Sequence, residues 1–215
     1  MSDLRVHKTK YINETKRVSF KYDGKNYFGY EGDTLASALL ANGVHLIGRS
    51  FKYHRPRGIM SCGSEEPNAI CQISDKNDLT EPNVRATEIE IYDGLEAFSQ
   101  NCWPNVKFDI GGINNLISSL IPAGFYYKTF MWPKSFWKKV YEPLIRMSAG
   151  LGKSPTEPDP DIYDHKYVHY DVLVIGGGLS GIISAKIAAK SNLKTLLVDD
   201  KTVSYTHLTL PTIYS

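Results

Sequence analysis

The sequence has little cysteine, and this scarcity excludes several classes of protein. Its 215 residues include only three cysteines, Cys62, Cys71 and Cys102. An odd number without repeated spacing argues against a disulfide framework and favours a reducing compartment, so we expect a cytoplasmic protein. The first ten residues are polar and basic with no apolar core behind them, which argues against a signal peptide.

The sequence also lacks a large net charge and long uninterrupted apolar runs. The formal net charge of +2 is too small to indicate binding to nucleic acid or to an anionic membrane. The most apolar stretch, 172–189, contains three consecutive glycines and Lys186. It is therefore more typical of a strand, a glycine turn and a helix than of a membrane span. We predict no nucleic acid and no membrane among the partners.

Residues 15–95 have the pattern of an α+β domain. The elements follow in this order: a hairpin over 18–30, a helix over 34–41 that Asp33 caps, a glycine- and arginine-rich loop over 48–63, and strands over 69–73 and 87–92. This order of elements predicts a β-grasp, ferredoxin-like domain.

Residues 96–165 form an aromatic-rich connector. Asp109 is a predicted cap for a helix over 113–121, and a second helical stretch over 135–149 contains Pro143, which predicts a kink. The density of aromatic residues fits two interpretations, a core packed against the next domain or a subunit interface, where aromatic residues are enriched.

A glycine-rich segment within 166–202 carries a functional signal. An apolar strand over 170–175 runs into Gly-Gly-Gly-Leu-Ser-Gly at 176–181, a helix follows to residue 191, and a second strand over 194–198 leads to Asp199. Dinucleotide-binding folds have this order of elements: a strand, a GxGxxG turn, a helix, and a second strand that ends at an acidic residue. The predicted fold class is thus α+β followed by α/β, with a Rossmann-type β-α-β unit.

The residue types of this segment have physical reasons. Gly176 permits a tight turn, Gly178 lets the backbone approach a pyrophosphate, and Gly181 lets the helix pack closely on the strand. The phosphates would lie at the positive end of the helix dipole. We predict that NAD or FAD contacts Gly176, Gly177, Gly178, Leu179, Ser180, Gly181 and Asp199. The alternative is a glycine-rich turn in a nucleotide-free α/β fold.

Residues 203–215 follow this segment abruptly and resemble the translation of a transposon adapter used in DNA sequencing libraries. We therefore expect a sequencing artefact there. The nucleotide-binding unit would then be truncated after its second strand, without a complete cofactor site.

Long and unusual motifs also indicate a family. They are GDTLASALLANG at 32–43, GRSFKYHRPRG at 48–58, SCGSEEPNA at 61–69, PAGFYYKTFMWP at 122–133 and VYEPLIR at 140–146. Together with the glycine fingerprint, they resemble the N-terminal part of the alpha subunit of heterotetrameric sarcosine oxidases, and the resemblance extends over about residues 15–200.

The resemblance implies a flavoprotein oxidoreductase acting on CH–NH groups, which demethylates sarcosine oxidatively to glycine. It implies beta, gamma and delta subunits as partners, an FAD and the amine site in beta, and a covalent FMN near the alpha–beta contact. A domain for tetrahydrofolate would lie beyond the present residues. This fragment would then scaffold the complex and bind a dinucleotide, with no catalytic residue and no activity of its own.

The β-grasp domain of this family is similar to two-iron ferredoxins, whose clusters take four thiolates, with a C-x4-C-x2-C run in the loop. Here the loop contains only Cys62. We therefore predict no iron–sulfur cluster and no metal site in this chain. His54 has no second histidine at a suitable spacing, and its expected role is a hydrogen bond.

The loop is also basic, with Arg49, Lys52, His54, Arg55 and Arg57 close together. A solvated face and a site for an anion, such as a cofactor phosphate or acidic side chains of a partner, are both consistent with this pattern.

Other functions stay open at this point. The chain could be a subunit of a related dehydrogenase for glycine, an opine or another amino acid. It could also be a ferredoxin-type electron-transfer module.

Overall fold

The computed structural model describes residues 4–5, 12–74, 80–116, 118–120, 124, 130, 132–150, 152, 155, 158 and 162–199. The chain divides into two compact units, Met1–Thr156 and Glu157–Ser215. No helix within the described ranges is long and apolar enough to cross a membrane. The adapter-like residues 203–215 lie outside the described residues, as do 125–129 of the aromatic segment.

The first unit contains a mixed five-stranded sheet and a separate pair of short strands. The sheet consists of β1 (Asn13–Tyr22), β2 (Lys25–Glu31), β5 (Ile70–Ser74), β6 (Thr80–Arg85) and β7 (Leu95–Ser99), and the separate pair consists of β3 (Gly48–Arg49) and β4 (Pro56–Arg57). The order of the strands in the sheet is β2-β1-β7-β5-β6. Strands β1 and β7 are parallel, and the other neighbours in the sheet are antiparallel. A mixed sheet with a packed helix agrees with the predicted α+β class.

The hairpin of β1 and β2 forms as predicted. Asp23 and Gly24 have φ values of 47° and 73°, so both turn residues are left-handed, which matches the strand twist of a tight hairpin. Alternation along β1 points Val18, Phe20 and Tyr22 into the core.

Helix α1 (Leu35–Ala41) packs its apolar face on this sheet. A Cβ at Gly29 would lie 3.0 Å from the Ala38 Cβ, so glycine in β2 lets the helix approach closely. The prediction of Asp33 as the cap was wrong: Thr34 is the N-cap, and its hydroxyl accepts from the Ser37 N–H. The buried Asp33 carboxylate instead binds the Arg5 guanidinium.

The predicted strand over 87–92 was also wrong. The segment turns and forms one isolated bridge, between Thr34 and Glu90. The Leu35 N–H donates to the Ile89 carbonyl at 2.7 Å, and Ile91 is buried. The alternating pattern therefore reflects packing beside helix α1 rather than pairing in a sheet.

The connector contains short helical pieces. Asp109 caps a 3-10 turn, Ile110–Gly112, followed by α2 (Ile113–Leu116) and a second 3-10 turn, Ser118–Leu120. The predicted helix over 113–121 is thus shorter and less regular than expected.

The second predicted helical stretch of the connector is present. It begins with a 3-10 turn, Lys134–Phe136, continues as a π-helix, Trp137–Tyr141, and ends as α3 (Glu142–Ala149). The predicted proline kink is replaced by a change of helix type, because Pro143 lies in the first turn of α3, where its missing N–H costs little.

The described aromatic side chains of the connector are largely exposed. Trp103, Phe108 and Trp132 expose 68%, 69% and 83% of their surface. These side chains are therefore not buried within the first unit, and both interpretations, packing against the next domain and a subunit interface, stay predictions.

The second unit contains a parallel pair of strands joined by a helix. They are β8 (Val172–Ile175), α4 (Leu179–Lys190) and β9 (Thr195–Val198), with Val172 opposite Thr195. Helix α4 buries Ile182 and Ala185. Ile175 of β8 is 80% exposed.

Candidate functional site

The turn between β8 and α4 has a geometry that requires glycine. Gly176 has φ of 102°, which side chains rarely tolerate, and its N–H donates to the Val198 carbonyl at 2.8 Å. Gly178 is the N-cap of α4, and its carbonyl accepts from the Ile182 N–H at 2.9 Å. The chain therefore leaves β8 and enters the helix within a few residues.

Gly181 determines how closely the helix approaches the strand. A Cβ at this position would overlap the carbonyl oxygen of Gly176 and would lie 3.5 Å from a methyl group of Val174. Any side chain would push the first turn of α4 away from β8. The predicted role of Gly181 in close helix–strand packing agrees with this geometry.

Asp199 lies directly after β9, and its carboxylate accepts a hydrogen bond from the Gly177 N–H. A Cβ on Gly177 would lie 2.8 Å from that carboxylate, so the absence of a side chain permits the contact. The parallel pairing of β8 and β9 brings the acid to the glycine turn because the carboxyl ends of parallel strands share one edge.

The start of α4 is open to a ligand. Leu179 and Ser180 are exposed, and among the described residues no side-chain hydrogen bond caps the helix. The first-turn N–H groups can therefore receive phosphate oxygens, and Asp199 can accept from a ribose. The predicted residues are brought together and fit a dinucleotide, whose binding here stays a prediction.

The basic loop of the first unit uses some of its charges internally. The Arg49 guanidinium donates to the carbonyls of Val106, His54 and Lys107 at 2.8, 3.2 and 3.0 Å. Arg55 donates to Asn115 at 2.8 Å. These contacts tie the loop to the connector and argue against Arg49 as an anion ligand.

The sequence interpretation missed an imidazole–carboxylate pair in this loop. His54 Nδ1 lies 2.7 Å from Asp109 Oδ2, and the Asp109 side chain is fully buried. His54 itself has a left-handed backbone, with φ of 52°. Because the two residues are 55 positions apart, no local pattern in the sequence could indicate the pair.

A second missed feature is the buried carboxylate of Glu66. It accepts four backbone hydrogen bonds, from Met60, Ser61, Asn68 and Ala69, at 2.7, 2.6, 2.7 and 3.1 Å. Burial favours the neutral acid, but these donors outweigh it and hold the pKa of Glu66 below its ordinary value. Glu66 therefore fixes the loop that contains Cys62.

The cysteines occupy different environments. Cys62 is exposed, Cys71 is buried in β5, and Cys102 is half-buried with its Sγ 3.3 Å from Ser99 Oγ. Burial raises the pKa of Cys71 to about 12 and also raises the pKa of Cys102. In the part of the chain that the structure describes, no group of three or more His, Cys, Asp or Glu side chains could hold a metal ion.

Comparisons with known proteins confirm the resemblance to sarcosine oxidase alpha subunits. The chain is 52% identical over 200 residues to the sarcosine oxidase subunit alpha of Rhizobium meliloti (strain 1021). The matched region covers 93% of this chain and 20% of the relative. It is 30% identical to the subunit alpha of Corynebacterium sp. (strain U-96), covering 88% of this chain and 15% of the relative. The chain thus spans about a fifth or less of the length of these curated relatives.

A weaker likeness involves a solved structure, the L-proline dehydrogenase from P. horikoshii. It has 19% identity and a TM-score of 0.45, covering 91% of this chain and 25% of that chain. This overlap is too loose to identify a fold.

Residues 15–102 match the family described as 2Fe-2S iron-sulfur cluster binding domain. This match overturns our prediction that the chain carries no iron–sulfur cluster. The prediction rested on the number of cysteine thiols, whereas the family match rests on the sequence of residues 15–102 as a whole. The described cysteines do not by themselves fit a site of four thiolates, so no chemical step is assigned to a cluster.

Proposed function

We propose that this chain is the N-terminal part of the alpha subunit of a flavoprotein oxidoreductase that oxidises the CH–NH group of sarcosine. The observation that carries this proposal is the similarity to the Rhizobium meliloti subunit along almost the whole chain. The proposed site in this chain binds a dinucleotide, NAD or FAD, at a truncated Rossmann-type unit.

Each part of the turn has a proposed role in binding. The N–H groups at the start of α4 would receive the pyrophosphate, and Gly181 keeps that helix end close to β8. Asp199 would exchange its bond to the Gly177 N–H for ribose hydroxyls. When bound, the dinucleotide supplies the capacity for hydride transfer.

Cofactor content of the complete protein tests the site. We expect Gly178→Val to abolish retention of NAD by blocking the backbone approach to the pyrophosphate, and Asp199→Ala to weaken it more mildly. Gly112→Val is a matched control, since nothing lies within 4 Å of a Cβ at Gly112. Stoichiometric NAD in purified Gly178→Val protein would show that the site is wrong.

The activity is tested separately on the assembled enzyme. We expect sarcosine-dependent oxygen uptake that exceeds uptake with glycine, an opine or other amino acids. Preference for one of those compounds would instead favour a related dehydrogenase. This assay depends on the whole complex, whereas NAD retention tests the glycine turn alone.

The proposed assembly is a cytoplasmic heterotetramer with beta, gamma and delta subunits, with a further FAD and the amine site in beta, an FMN near the alpha–beta contact, and a tetrahydrofolate domain outside the present residues. The exposed aromatic side chains of the connector are proposed as a subunit contact, as aromatic residues are enriched in interfaces. We expect Trp132→Ser to lower co-purification of a partner subunit, and Tyr167→Ser, at a 99% exposed position, to leave it unchanged.

An electron-transfer module is the second candidate, favoured by the family match over residues 15–102. Iron and acid-labile sulfide analysis of the complete protein tests it. Stoichiometric iron and sulfide would support this role for the first domain, and their absence would exclude it.

A further inference from the structure

The helical stretch over 134–149 carries large apolar side chains that the first unit does not bury. Its described side chains are exposed or half-buried, and none of them is fully buried. Spacings of four, four and three residues place Phe136, Val140, Leu144 and Met147 along one side of the helix. Leu144 and Met147 expose 52% and 75% of their surface. These four residues form an exposed apolar row, which we call the helical stripe.

The helical stripe leads into a groove at the end of α3. Trp103, Ile110 and Met147 share the lining of a cavity of about 290 Å³, and all three side chains are exposed. A Cβ at Gly150 would overlap Asn101, so the C-terminal end of α3 is packed closely against the first unit. The groove therefore offers an apolar wall and enough space for one large side chain of a partner, as anchor residues in interfaces require.

The same helical stretch is strongly basic. Residues 134–149 contain four basic residues and one acidic residue, a net charge of +3. Arg146 forms an ion pair with Glu142. The remaining charges belong to three exposed lysines, Lys134, Lys138 and Lys139. No described acidic side chain pairs with these lysines, so a surface that covers the stripe is complementary if its rim is acidic.

We propose that the helical stripe and the groove dock an acidic amphipathic helix of a partner polypeptide. The apolar face of that helix packs on the stripe, one large side chain enters the groove beside Trp103, and its carboxylates meet the three lysines. This inference deepens the proposed subunit contact of the connector and rests on it. Neither the family match nor the names of the relatives assign such a partner helix.

Other occupants fit this surface less well. A second copy of the chain in a two-fold symmetric contact would bring its own unpaired lysines to the same place, so that like charges would face each other. An anionic bilayer would attract the lysines, but it presents no side chain that could fill the groove between Trp103 and Met147. A helix with acidic flanks satisfies both the charges and the groove.

Titration of the 215-residue chain with two synthetic peptides tests the proposal. Both peptides have about 18 residues, with leucine at alternating spacings of three and four, and they differ in carrying glutamate or lysine on their flanks. We expect the glutamate peptide to bind at least about tenfold more tightly than the lysine peptide, with an affinity that falls as salt is added. Hydrogen exchange should slow at the Leu144 and Met147 amides and not along α4.

Variants at exposed positions separate the apolar from the charged part of the surface. Leu144→Gln retains a good helix former and should lower the affinity for the glutamate peptide at least about tenfold. The double variant Lys138→Glu, Lys139→Glu should reverse the preference, so that the lysine peptide binds more tightly. Lys186→Glu, at an exposed position of α4, is the matched control and should leave both affinities unchanged.

Several results would overturn the proposal. They are equal affinity for the two peptides, no effect of Leu144→Gln, slowed exchange along α4 instead of α3, binding to phosphatidylglycerol vesicles without a preference between the peptides, and a dimer that Leu144→Gln abolishes. Loss of peptide binding in the complete protein would also overturn it, because another part of the same chain would then cover the stripe. If the glutamate peptide does not bind but Trp132→Ser still lowers co-purification of a partner subunit, the docking helix is wrong and the proposed subunit contact stands.

Discussion

Replacing Glu66 by glutamine is a sharp test of how the loop over 58–69 is held. The substitution keeps the size and shape of the side chain but replaces one carboxylate oxygen by an NH₂ group. Oε2 of Glu66 accepts from Met60 and Ser61, and Oε1 accepts from Asn68 and Ala69. Whichever way the glutamine amide turns, its NH₂ group must face two backbone N–H donors.

The magnitude follows from these contacts. Two charge-assisted hydrogen bonds are lost, each worth about 1.5–3 kcal/mol, and two N–H groups lose their acceptor. Relaxation of the loop recovers part of this cost. We therefore expect Glu66→Gln to lower the free energy of unfolding by about 3–5 kcal/mol, a large part of a typical total of about 5–15 kcal/mol.

Urea unfolding of the first unit and hydrogen exchange at the Ser61 and Asn68 amides measure the effect. Glu65→Gln is the matched control, because Glu65 is the exposed neighbour and should change stability by less than about 0.5 kcal/mol. If the two variants differ by less than about 1 kcal/mol, the carboxylate does not hold the loop.

The pH dependence has a definite sign. Because the folded pKa of Glu66 is lowered, its stabilisation is present above the unfolded pKa of about 4.3 and is lost as the pH falls through the folded pKa. The free-energy difference between the wild type and Glu66→Gln should therefore shrink below about pH 4. A difference that grows on acidification would contradict the assignment.

Three further outcomes are expected. Phe20→Ala should lower the free energy of unfolding, measured in urea, by about 3–5 kcal/mol, because Phe20 is 2% exposed. Phe28→Ala is the control and should lower it by about 1 kcal/mol or less, because Phe28 is 43% exposed. Gly181→Ala should speed hydrogen exchange along α4, since its Cβ would overlap a backbone carbonyl; unchanged exchange would refute the close packing. Limited proteolysis should trim the chain toward 154–161, because the second unit leaves apolar side chains such as Leu173 and Ile175 exposed. A resistant core extending past residue 199, found by mass spectrometry, would contradict this expectation.

Several local features could be predicted because they depend on neighbouring residues alone. Asp23 and Gly24 adopt the left-handed turn that their types favour, and the alternation of Val18, Phe20 and Tyr22 specifies the buried face of β1. The glycine turn at 176–181 was visible for the same reason, since its backbone demands are met by residue types within one short segment.

The features that failed depend on long-range neighbours. Ile89 and Ile91 alternate because they pack beside helix α1, which a strand pattern imitates. The prediction of no iron–sulfur cluster failed because it relied on the number of cysteines. The family match instead depends on the whole sequence of residues 15–102.

The sequence by itself determined the hairpin, the helix Leu35–Ala41 and the glycine fingerprint, because turns and hydrophobic periods act over a few residues. Only the tertiary structure decided which charges are available for binding. It places Asp109 against His54, directs the Arg49 guanidinium to three carbonyls, and surrounds Glu66 with backbone donors. Such pairings join positions that are distant along the chain, and their energies depend on burial, which exists only after the sheet and the loops have packed.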